Sequence, residues 1–447
     1  MKRLRTHNRH GKVLMKRARA LMTGLLVAAS FVACDKDPPP FSPPVTPPAE
    51  IPISGAAVPG MESYDQTITD FMRKYAIPGG VVAVMRDGKL IYARGFGYAD
   101  VENKTVVQPD ALFRIASMSK PITAAAIMKL VEEGKLRLDD RVAPFIAHLA
   151  PAPGATFDPR WEQITIRHLL NHTGGWDRTK PDGGFDPIDR PAIAAAAVNA
   201  PAPASAETLV RYMKGMPLDF DPGERFAYSN FGFIILGRVI ERVSGMPYEE
   251  YVRAGVLQPV GANRTQQGKS RMGDALADEV KYYWPGAGVN APLVPSVFPG
   301  EGTVPLNYGG FHLEAGDASG AWVSSTVDLL RFLGGVDGRA NRPDILSAPL
   351  VAEMASNGAA VCPDGACYYG AGWFVRPTQG DANWWHGGTL PGTTSMLVRT
   401  YHNFSLVGLF NTRSLTANLE AELHAALWNA LAGVTSFPAH DLFSTFR

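Results

Sequence analysis

Strand-like segments lie near both ends of this chain and constrain its fold more than any other feature. Alternating and β-branched residues predict two strands, at 80–85 and 89–93, joined by a tight turn at Asp87-Gly88. Near the other end the same pattern recurs three times, at 371–375, 395–399 and 405–410. Strands from both ends of a chain most simply form one antiparallel sheet, with the helical patterns at 64–75 and 416–431 packed on its face. The fold must therefore bring the two ends of the chain together.

Between these two groups of strands the sequence is rich in helices and loops, and we expect no second group of strands there. Hydrophobic residues make up 46% of the chain and charged residues 19%, which excludes a mainly disordered protein or a coiled coil. We therefore predict one composite domain over 61–447, of the α/β (α+β) class. It would consist of an antiparallel sheet flanked by helices, with a mostly helical lobe inserted.

The first 33 residues are typical of an export signal. They carry eight basic and no acidic side chains, followed by an apolar stretch that is too short to span a bilayer. Small residues precede Cys34, and the sequence Phe31-Val32-Ala33-Cys34 resembles the cleavage site of bacterial lipoproteins. We expect residues 1–33 to be a signal peptide and Cys34 to be lipidated. The protein would then be an exported bacterial protein of the periplasm or cell envelope, attached to a membrane through Cys34.

Residues 34–60 contain nine prolines, which predicts a semi-extended tether between the membrane and the folded domain. Without residues 1–33 the chain has 35 basic and 42 acidic side chains. A negative net charge gives no general attraction for phosphate backbones, so we expect no nucleic-acid partner. In an exported chain, Cys362 and Cys367 are expected to form a small disulfide loop, the alternative being two reduced thiols.

Ser117 and Lys120 form the pattern Ser-x-x-Lys at the start of a predicted helix that ends before Gly134. The three-residue spacing places both side chains on one face of the helix. A serine hydroxyl is a weak nucleophile until a base takes its proton, and a buried lysine with a lowered pKa can be that base. Taken alone, the tetrapeptide favours a capping serine and a solvated lysine over a catalytic pair.

Two further motifs favour the catalytic interpretation. Tyr228 and Asn230 are two residues apart, so they can face the same side of an extended loop before a helix. A tyrosine there can carry a proton, and an asparagine can orient the lysine or a substrate amide. The third motif is His386-Gly387-Gly388-Thr389. Its glycines would let a ligand approach a strand whose backbone N–H completes an oxyanion hole.

In this order and spacing, the three motifs resemble those of the penicillin-recognising serine hydrolases. The branch concerned includes class C β-lactamases, D-alanyl-D-alanine carboxypeptidases and related esterases. The resemblance covers most of 61–432 and includes the segment 164–175. It implies a β-lactamase/transpeptidase-like fold and acyl transfer through a covalent serine ester, with no metal or cofactor.

The resemblance also assigns roles to residues. Ser117 would attack the substrate, Lys120 and Tyr228 would move protons, and Asn230 would position the substrate. The substrate-binding strand would contribute His386, Gly387, Gly388 and Thr389, with the backbone N–H groups of Ser117 and Thr389 holding the oxyanion. The α/β-hydrolase alternative is excluded because no serine in this chain has glycine at both −2 and +2.

The third motif departs from the Lys-Thr-Gly of many β-lactamases in this family. A histidine with a pKa near 6.5 is mostly neutral at pH 7, and Gly387 lacks the threonine hydroxyl. Both changes weaken recognition of a substrate carboxylate. The sequence therefore favours an esterase-like hydrolase of carboxylic esters or amides acting on a small-molecule or peptide substrate. The alternatives are a β-lactamase, a D-alanyl-D-alanine carboxypeptidase or D-aminopeptidase, and a penicillin-binding receptor that is acylated without turnover.

Three further features of the sequence are less specific. His168 and His172 have the i, i+4 spacing of some zinc sites, but Leu169 stands where a metalloprotease has glutamate, so we expect a structural role for both. Tyr368-Tyr369 and Trp384-Trp385 are expected mainly in the core. Arg413 is a candidate for binding a substrate carboxylate in place of the missing lysine.

Overall fold

The computed structural model describes residues 50–285, 291–356, 358, 361–362 and 364–446. The predicted signal peptide (1–33), the candidate lipidation site Cys34 and the tether up to residue 49 lie outside the described residues. Within the described ranges, no helix has the length and apolar character needed to cross a membrane.

One large antiparallel sheet joins strands from the two ends of the chain. Its strands follow the spatial order β1-β3-β2-β14-β13-β12-β11-β10, with β4 paired to β3. The strands of the described residues are β1 (Ile53–Ser54), β2 (Gly79–Arg86), β3 (Lys89–Asp100), β4 (Thr105–Val106), β5 (Phe113–Arg114), β6 (Gln266–Gln267), β7 (Leu293–Pro295), β8 (Thr303–Pro305), β9 (Trp322–Ser324), β10 (Tyr368–Tyr369), β11 (Phe374–Pro377), β12 (Ala382–Leu390), β13 (Thr393–Arg399) and β14 (Phe404–Phe410).

The contact between the two ends of the chain is the antiparallel pair β2–β14, in which Val84 lies opposite Leu406. The hairpin between β2 and β3 turns at Asp87 and Gly88, whose φ angles are 49° and 76°. Positive φ at both central residues is the geometry that an Asp-Gly turn provides. The predicted sheet and its hairpin are therefore confirmed.

Helices cover both faces of this sheet. Those of the described residues are α1 (Glu62–Tyr75), α2 (Ser119–Glu132), α3 (Ile166–Leu170), α4 (Pro191–Ala197), α5 (Ala206–Met213), α6 (Asn230–Ser244), α7 (Tyr248–Val252), α8 (Asp317–Gly320), α9 (Thr326–Gly334), α10 (Ala348–Met354) and α11 (Leu419–Ala432). Along β2, Val82 and Val84 point into a core shared with α1 and α11, whereas Val81 and Ala83 point into a larger core that contains α2. This alternation follows from the two-residue period of a strand.

The expectation of no second group of strands was wrong. Strands β5, β9 and β6 form a three-stranded sheet, and β7 pairs with β8. Each of these strands has only two or three residues, which is too short for an alternating pattern to be visible in the sequence. The strand expected at 371–375 begins only at Phe374, because Gly372 adopts a φ of 80°.

Candidate active site

Ser117 lies in a tight 3₁₀ turn, Ala116–Met118, that leads directly into α2. Ala116 has a φ of 51°, a strained conformation for a residue with a side chain. A local hydrogen bond stabilises this turn, since the Ser119 hydroxyl donates to the Ala116 carbonyl oxygen at 2.7 Å. Ser117 remains partly exposed while its neighbours Ala116 and Met118 are buried. The strained turn therefore presents the Ser117 hydroxyl at the surface of a cleft.

Lys120 lies one helical turn further along and is fully buried. Its Nζ is 2.7 Å from Asn230 Oδ1, 2.7 Å from the Ser319 carbonyl oxygen and 3.1 Å from Ser117 Oγ. The first two atoms can only accept hydrogen bonds, whereas a serine hydroxyl can also donate one. A neutral amine fits this environment with two N–H bonds to the acceptors and its lone pair towards the Ser117 hydroxyl, and an ammonium group fits it with three donated bonds. The pKa of Lys120 decides between them.

The electrostatics favour the neutral amine. Burial lowers the pKa of Lys120 well below its usual value, and the positive charge of Arg178 lowers it further. Burial raises the pKa of Tyr228 well above its usual value, an effect that a hydrogen bond to Ser117 partly offsets. Environments that push two pKa values in opposite directions assign the roles of base and acid. The two opposite shifts fit a base at Lys120 and a neutral proton donor at Tyr228.

Tyr228 is fixed by aromatic and cationic neighbours. Its ring lies 4.2 Å from the ring of His172 and 4.9 Å from Lys120 Nζ. His172 is buried, has a φ of 57°, and accepts a hydrogen bond from the Ser229 backbone N–H at 3.2 Å. His172 therefore supports the segment that carries Tyr228, whereas His168 caps α3 by accepting from the Thr165 N–H.

The sequence predicted an extended loop at Asn230, but Asn230 is the first residue of α6. Ser229 caps this helix, since its hydroxyl accepts a hydrogen bond from the Gly232 N–H. The Asn230 amide donates to Asp186 Oδ2 at 2.8 Å, which directs its oxygen towards Lys120. Asp186 is buried and lies 3.7 Å from Arg178. A buried carboxylate thus sets the orientation of the amide that holds the lysine.

The third motif lies on β12, which packs directly against the turn carrying Ser117. A Cβ atom on Gly388 would stand 2.9 Å from Ala116 Cβ and collide with the Ile115 carbonyl oxygen. The Ser395 hydroxyl on the neighbouring strand donates to the same Ile115 carbonyl at 2.8 Å. Glycine at 388 therefore allows β12 to approach the turn that carries Ser117. Thr389, the next residue of β12, lies on the same part of the strand.

His386 is buried and does not provide the positive charge that a lysine would have at this position. Its Nδ1 donates to the Gly387 carbonyl at 2.6 Å, so its Nε2 accepts from the Tyr369 hydroxyl at 2.9 Å. Burial lowers the pKa of His386 to about 3. The imidazole is therefore neutral at physiological pH and offers no charge to a carboxylate.

These elements surround one cleft of about 730 Å³. Six of the predicted site residues line it: Ser117, Tyr228, Asn230, His386, Gly387 and Thr389. Lys120 and Gly388 lie directly behind this lining, and Arg413 lies within it.

Cys362 and Cys367 are joined in a disulfide before β10. Tyr369 and Trp384 are buried in the core, with Tyr369 in direct contact with His386.

Sequence reasoning missed several residues of this cleft. Asp186, Arg178 and Ser319 act on Lys120 from distant parts of the chain, and Glu420 reaches the cleft from the first turn of α11. None of them has a fixed spacing to Ser117. Among them, only Glu420 could have been identified from the sequence as a candidate site residue. It is an acidic residue at the start of a predicted helix that follows the candidate Arg413.

Comparisons with known proteins agree with this geometry. A family model described as Beta-lactamase matches residues 64–427. Penicillin-binding protein 4* of Bacillus subtilis (strain 168) is 29% identical over 361 residues, which cover 78% of this chain and 71% of that protein. The octameric penicillin-binding protein homologue from Pyrococcus abyssi superposes with a TM-score of 0.63 at 27% identity, covering 83% of this chain and 76% of that one. The D-amino acid amidase from Ochrobactrum anthropi SV3 has the same fold, with a TM-score of 0.63, 22% identity and coverages of 84% and 98%.

Proposed function

The chain belongs to the β-lactamase family of serine hydrolases, and on this basis we propose that it hydrolyses carboxylic esters and amides through an acyl-enzyme on Ser117. The observation that carries the proposal is the environment of Lys120. Two of its three oxygen neighbours are obligatory acceptors, and the third is the Ser117 hydroxyl. Together with the lowered pKa of Lys120, this arrangement would give the serine a neutral amine as its base.

In the first half of the reaction, Ser117 Oγ forms a bond to the substrate carbonyl carbon while its proton passes to Lys120. The backbone N–H groups of Ser117 and Thr389 would stabilise the oxyanion, and loss of one such donor typically costs about 3 kcal/mol of barrier. Tyr228, which lines the cleft with Ser117 and whose ring lies 4.9 Å from Lys120 Nζ, would pass a proton to the leaving alkoxide or amine as its bond to carbon breaks. Lys120 would then give the proton taken from Ser117 to Tyr228, which restores both groups. In the second half, the oxygen of a water molecule bonds to the ester carbonyl carbon while its proton passes to Lys120. The bond from that carbon to Ser117 Oγ then breaks, and Oγ takes the proton back from Lys120.

The third motif argues against β-lactams and other carboxylated substrates as preferred ligands. His386 is neutral and is occupied by Tyr369 and the Gly387 carbonyl. Gly387 offers no hydroxyl, and the nearby acidic side chain is Glu420. A β-lactamase or D-alanyl-D-alanine carboxypeptidase therefore remains the second candidate, supported by the family and by the similarity to penicillin-binding protein 4*.

The test compares hydrolysis of p-nitrophenyl butyrate with hydrolysis of a chromogenic cephalosporin. We expect saturable ester turnover that is lost in Ser117→Ala, and cephalosporin turnover at least tenfold slower in kcat/KM. Intact mass after exposure to a fluorophosphonate would show one adduct in the parent protein and none in Ser117→Ala. Fast cephalosporin hydrolysis with negligible esterase activity would reverse the ranking, and stoichiometric acylation without turnover would identify a receptor.

A further inference from the structure

Glu420 brings a carboxylate to the wall of the cleft beside the third motif. It lies in the first turn of α11, and its Oε1 accepts a hydrogen bond from the Thr389 hydroxyl. The backbone N–H of Thr389 is one of the two donors assigned above to the oxyanion. The carboxylate is therefore tied to the residue that would contact the scissile carbonyl.

Gly387 makes room for this carboxylate. A Cβ atom on Gly387 would collide with Glu420 Oε2 and lie 3.1 Å from Glu420 Cδ. The position occupied by a threonine side chain in Lys-Thr-Gly motifs is thus taken here by an acidic group from another helix. Glycine at 387 therefore does more than remove the threonine hydroxyl of the Lys-Thr-Gly motif. It makes space for the acidic side chain of Glu420 at that position.

The charges that line the cleft leave this carboxylate without a close counter-ion. Asp189 and Glu420 are acidic, whereas Arg178 and Arg413 are basic. Arg178 is compensated by Asp186, 3.7 Å away. Among the described residues, no lysine, arginine or histidine nitrogen lies within 4.0 Å of a Glu420 oxygen. Burial raises the pKa of Glu420, and the positive charges of Arg178 and Arg413 oppose that rise. The carboxylate beside the third motif is thus stabilised by cations at longer range.

We propose that Glu420 is a specificity-determining residue that selects esters or amides carrying a protonated amine near the scissile carbonyl, and disfavours those carrying a carboxylate. The inference rests on the proposed hydrolase function. An ammonium group donates charge-assisted hydrogen bonds to a carboxylate, whereas a substrate carboxylate in the same place would be repelled. Gly387 and Thr389 act as positioning residues for Glu420.

The test is competitive inhibition of p-nitrophenyl butyrate hydrolysis by benzylammonium, benzyl alcohol and benzoate at pH 7. These molecules share one ring and differ in charge. We expect benzylammonium to inhibit with a Ki about tenfold or more below that of benzoate, the size expected for one charge-assisted hydrogen bond. In Glu420→Gln this ratio should fall about tenfold. Gly387→Ala, which displaces the carboxylate without changing its charge, should lower the ratio in the same direction.

Glu422→Gln is the matched control, because Glu422 lies two residues further along α11 and pairs at the surface with Lys74. It should leave the ratio unchanged. Tighter binding of benzoate than of benzylammonium would show that Arg413 dominates and would overturn the inference, as would an unchanged ratio in Glu420→Gln. Absence of Ser117-dependent ester hydrolysis in the parent protein would instead refute the proposed function.

Discussion

In the proposed mechanism, the protonation state of Lys120 controls whether Ser117 can be activated. Its amine is buried among the Ser117 hydroxyl, the Asn230 amide oxygen and the Ser319 carbonyl. Burial and the charge of Arg178 lower its pKa, while the charges of Asp186 and Glu420 act in the opposite direction. The neutral form should therefore predominate over a wider pH range than for an ordinary lysine.

This environment predicts the pH dependence of kcat/KM. Because the neutral amine is the active form, the rate should rise with pH through the lowered pKa of Lys120. Asp186→Asn preserves an acceptor for Asn230 but removes a negative charge that raises that pKa and compensates Arg178. The acid limb of the profile should therefore move to lower pH, by roughly 0.5 to 1 unit, in a measurement of ester hydrolysis.

Three controls accompany this measurement. Asp182→Asn changes an exposed charge on the same loop and should leave the limb in place. Asp189→Asn removes the cleft carboxyl whose pKa burial raises to about 6, and Glu420→Gln removes a second cleft carboxyl whose pKa burial raises. A limb that persists in both variants therefore belongs to Lys120. A limb that moves to higher pH in Asp186→Asn would contradict the assignment of Lys120 as the base.

At the residue scale, the sequence predicted the groups that follow fixed local spacings. Ser117 and Lys120 share a helix face, and Tyr228 and Asn230 adjoin the start of another helix. Asp186 and Glu420 could not be predicted in this way, because their roles depend on how separate loops and helices meet. His386, which was predicted to bind substrate, lines the cleft, and its ring nitrogens are hydrogen-bonded to Tyr369 and the Gly387 carbonyl.

At the scale of elements, the contact between β12 and the Ser117 turn determines the precision of the site. Both components are backbone, and Gly388 lies where they approach each other. Gly388→Ala should displace one against the other. We expect a loss of about 1 to 3 kcal/mol in stability. A displacement of about 1 Å at the reacting atoms would slow acylation about a hundredfold.

Rates of fluorophosphonate acylation and thermal unfolding midpoints would check this prediction. Gly273→Ala is the control, since no heavy atom lies within 4 Å of the position its Cβ would take. Acylation of Gly388→Ala at the rate of the parent protein would show that the contact does not position Ser117.

Element lengths explain which parts of the fold could be predicted. Strands β2, β13 and β14 have seven or eight residues, so their alternation is visible in the sequence. Strands β5 and β6 have two residues each and are formed because β9 offers them a partner. The start of α11 at Leu419 depends on capping by the Asn418 side chain, which a helical pattern beginning at residue 416 did not reveal.

At the scale of the whole molecule, we propose that the folded domain is attached to a membrane of the bacterial cell envelope through a lipid on Cys34. Acyl chains provide about 0.8 kcal/mol of membrane affinity for each buried CH₂ group. The full chain expressed in a bacterium should therefore sediment with membranes, and Cys34→Ser should move it to the soluble fraction with its ester hydrolysis unchanged. Pro39→Ser, in the same predicted tether, is the control; equal sedimentation of the parent and Cys34→Ser proteins would refute the anchor.

The pairing of β2 with β14 has a consequence for how the protein folds during its synthesis. The two strands are separated by more than 300 residues, and β14 is the only described strand that bonds β2 along the edge opposite β3. Contacts of such long range form late, because the intervening chain must first be closed into a loop. A polypeptide emerging from the ribosome or a translocation channel would thus keep that edge of β2 open until residues 404–410 are released. Hydrolytic activity should then begin only after synthesis is almost complete.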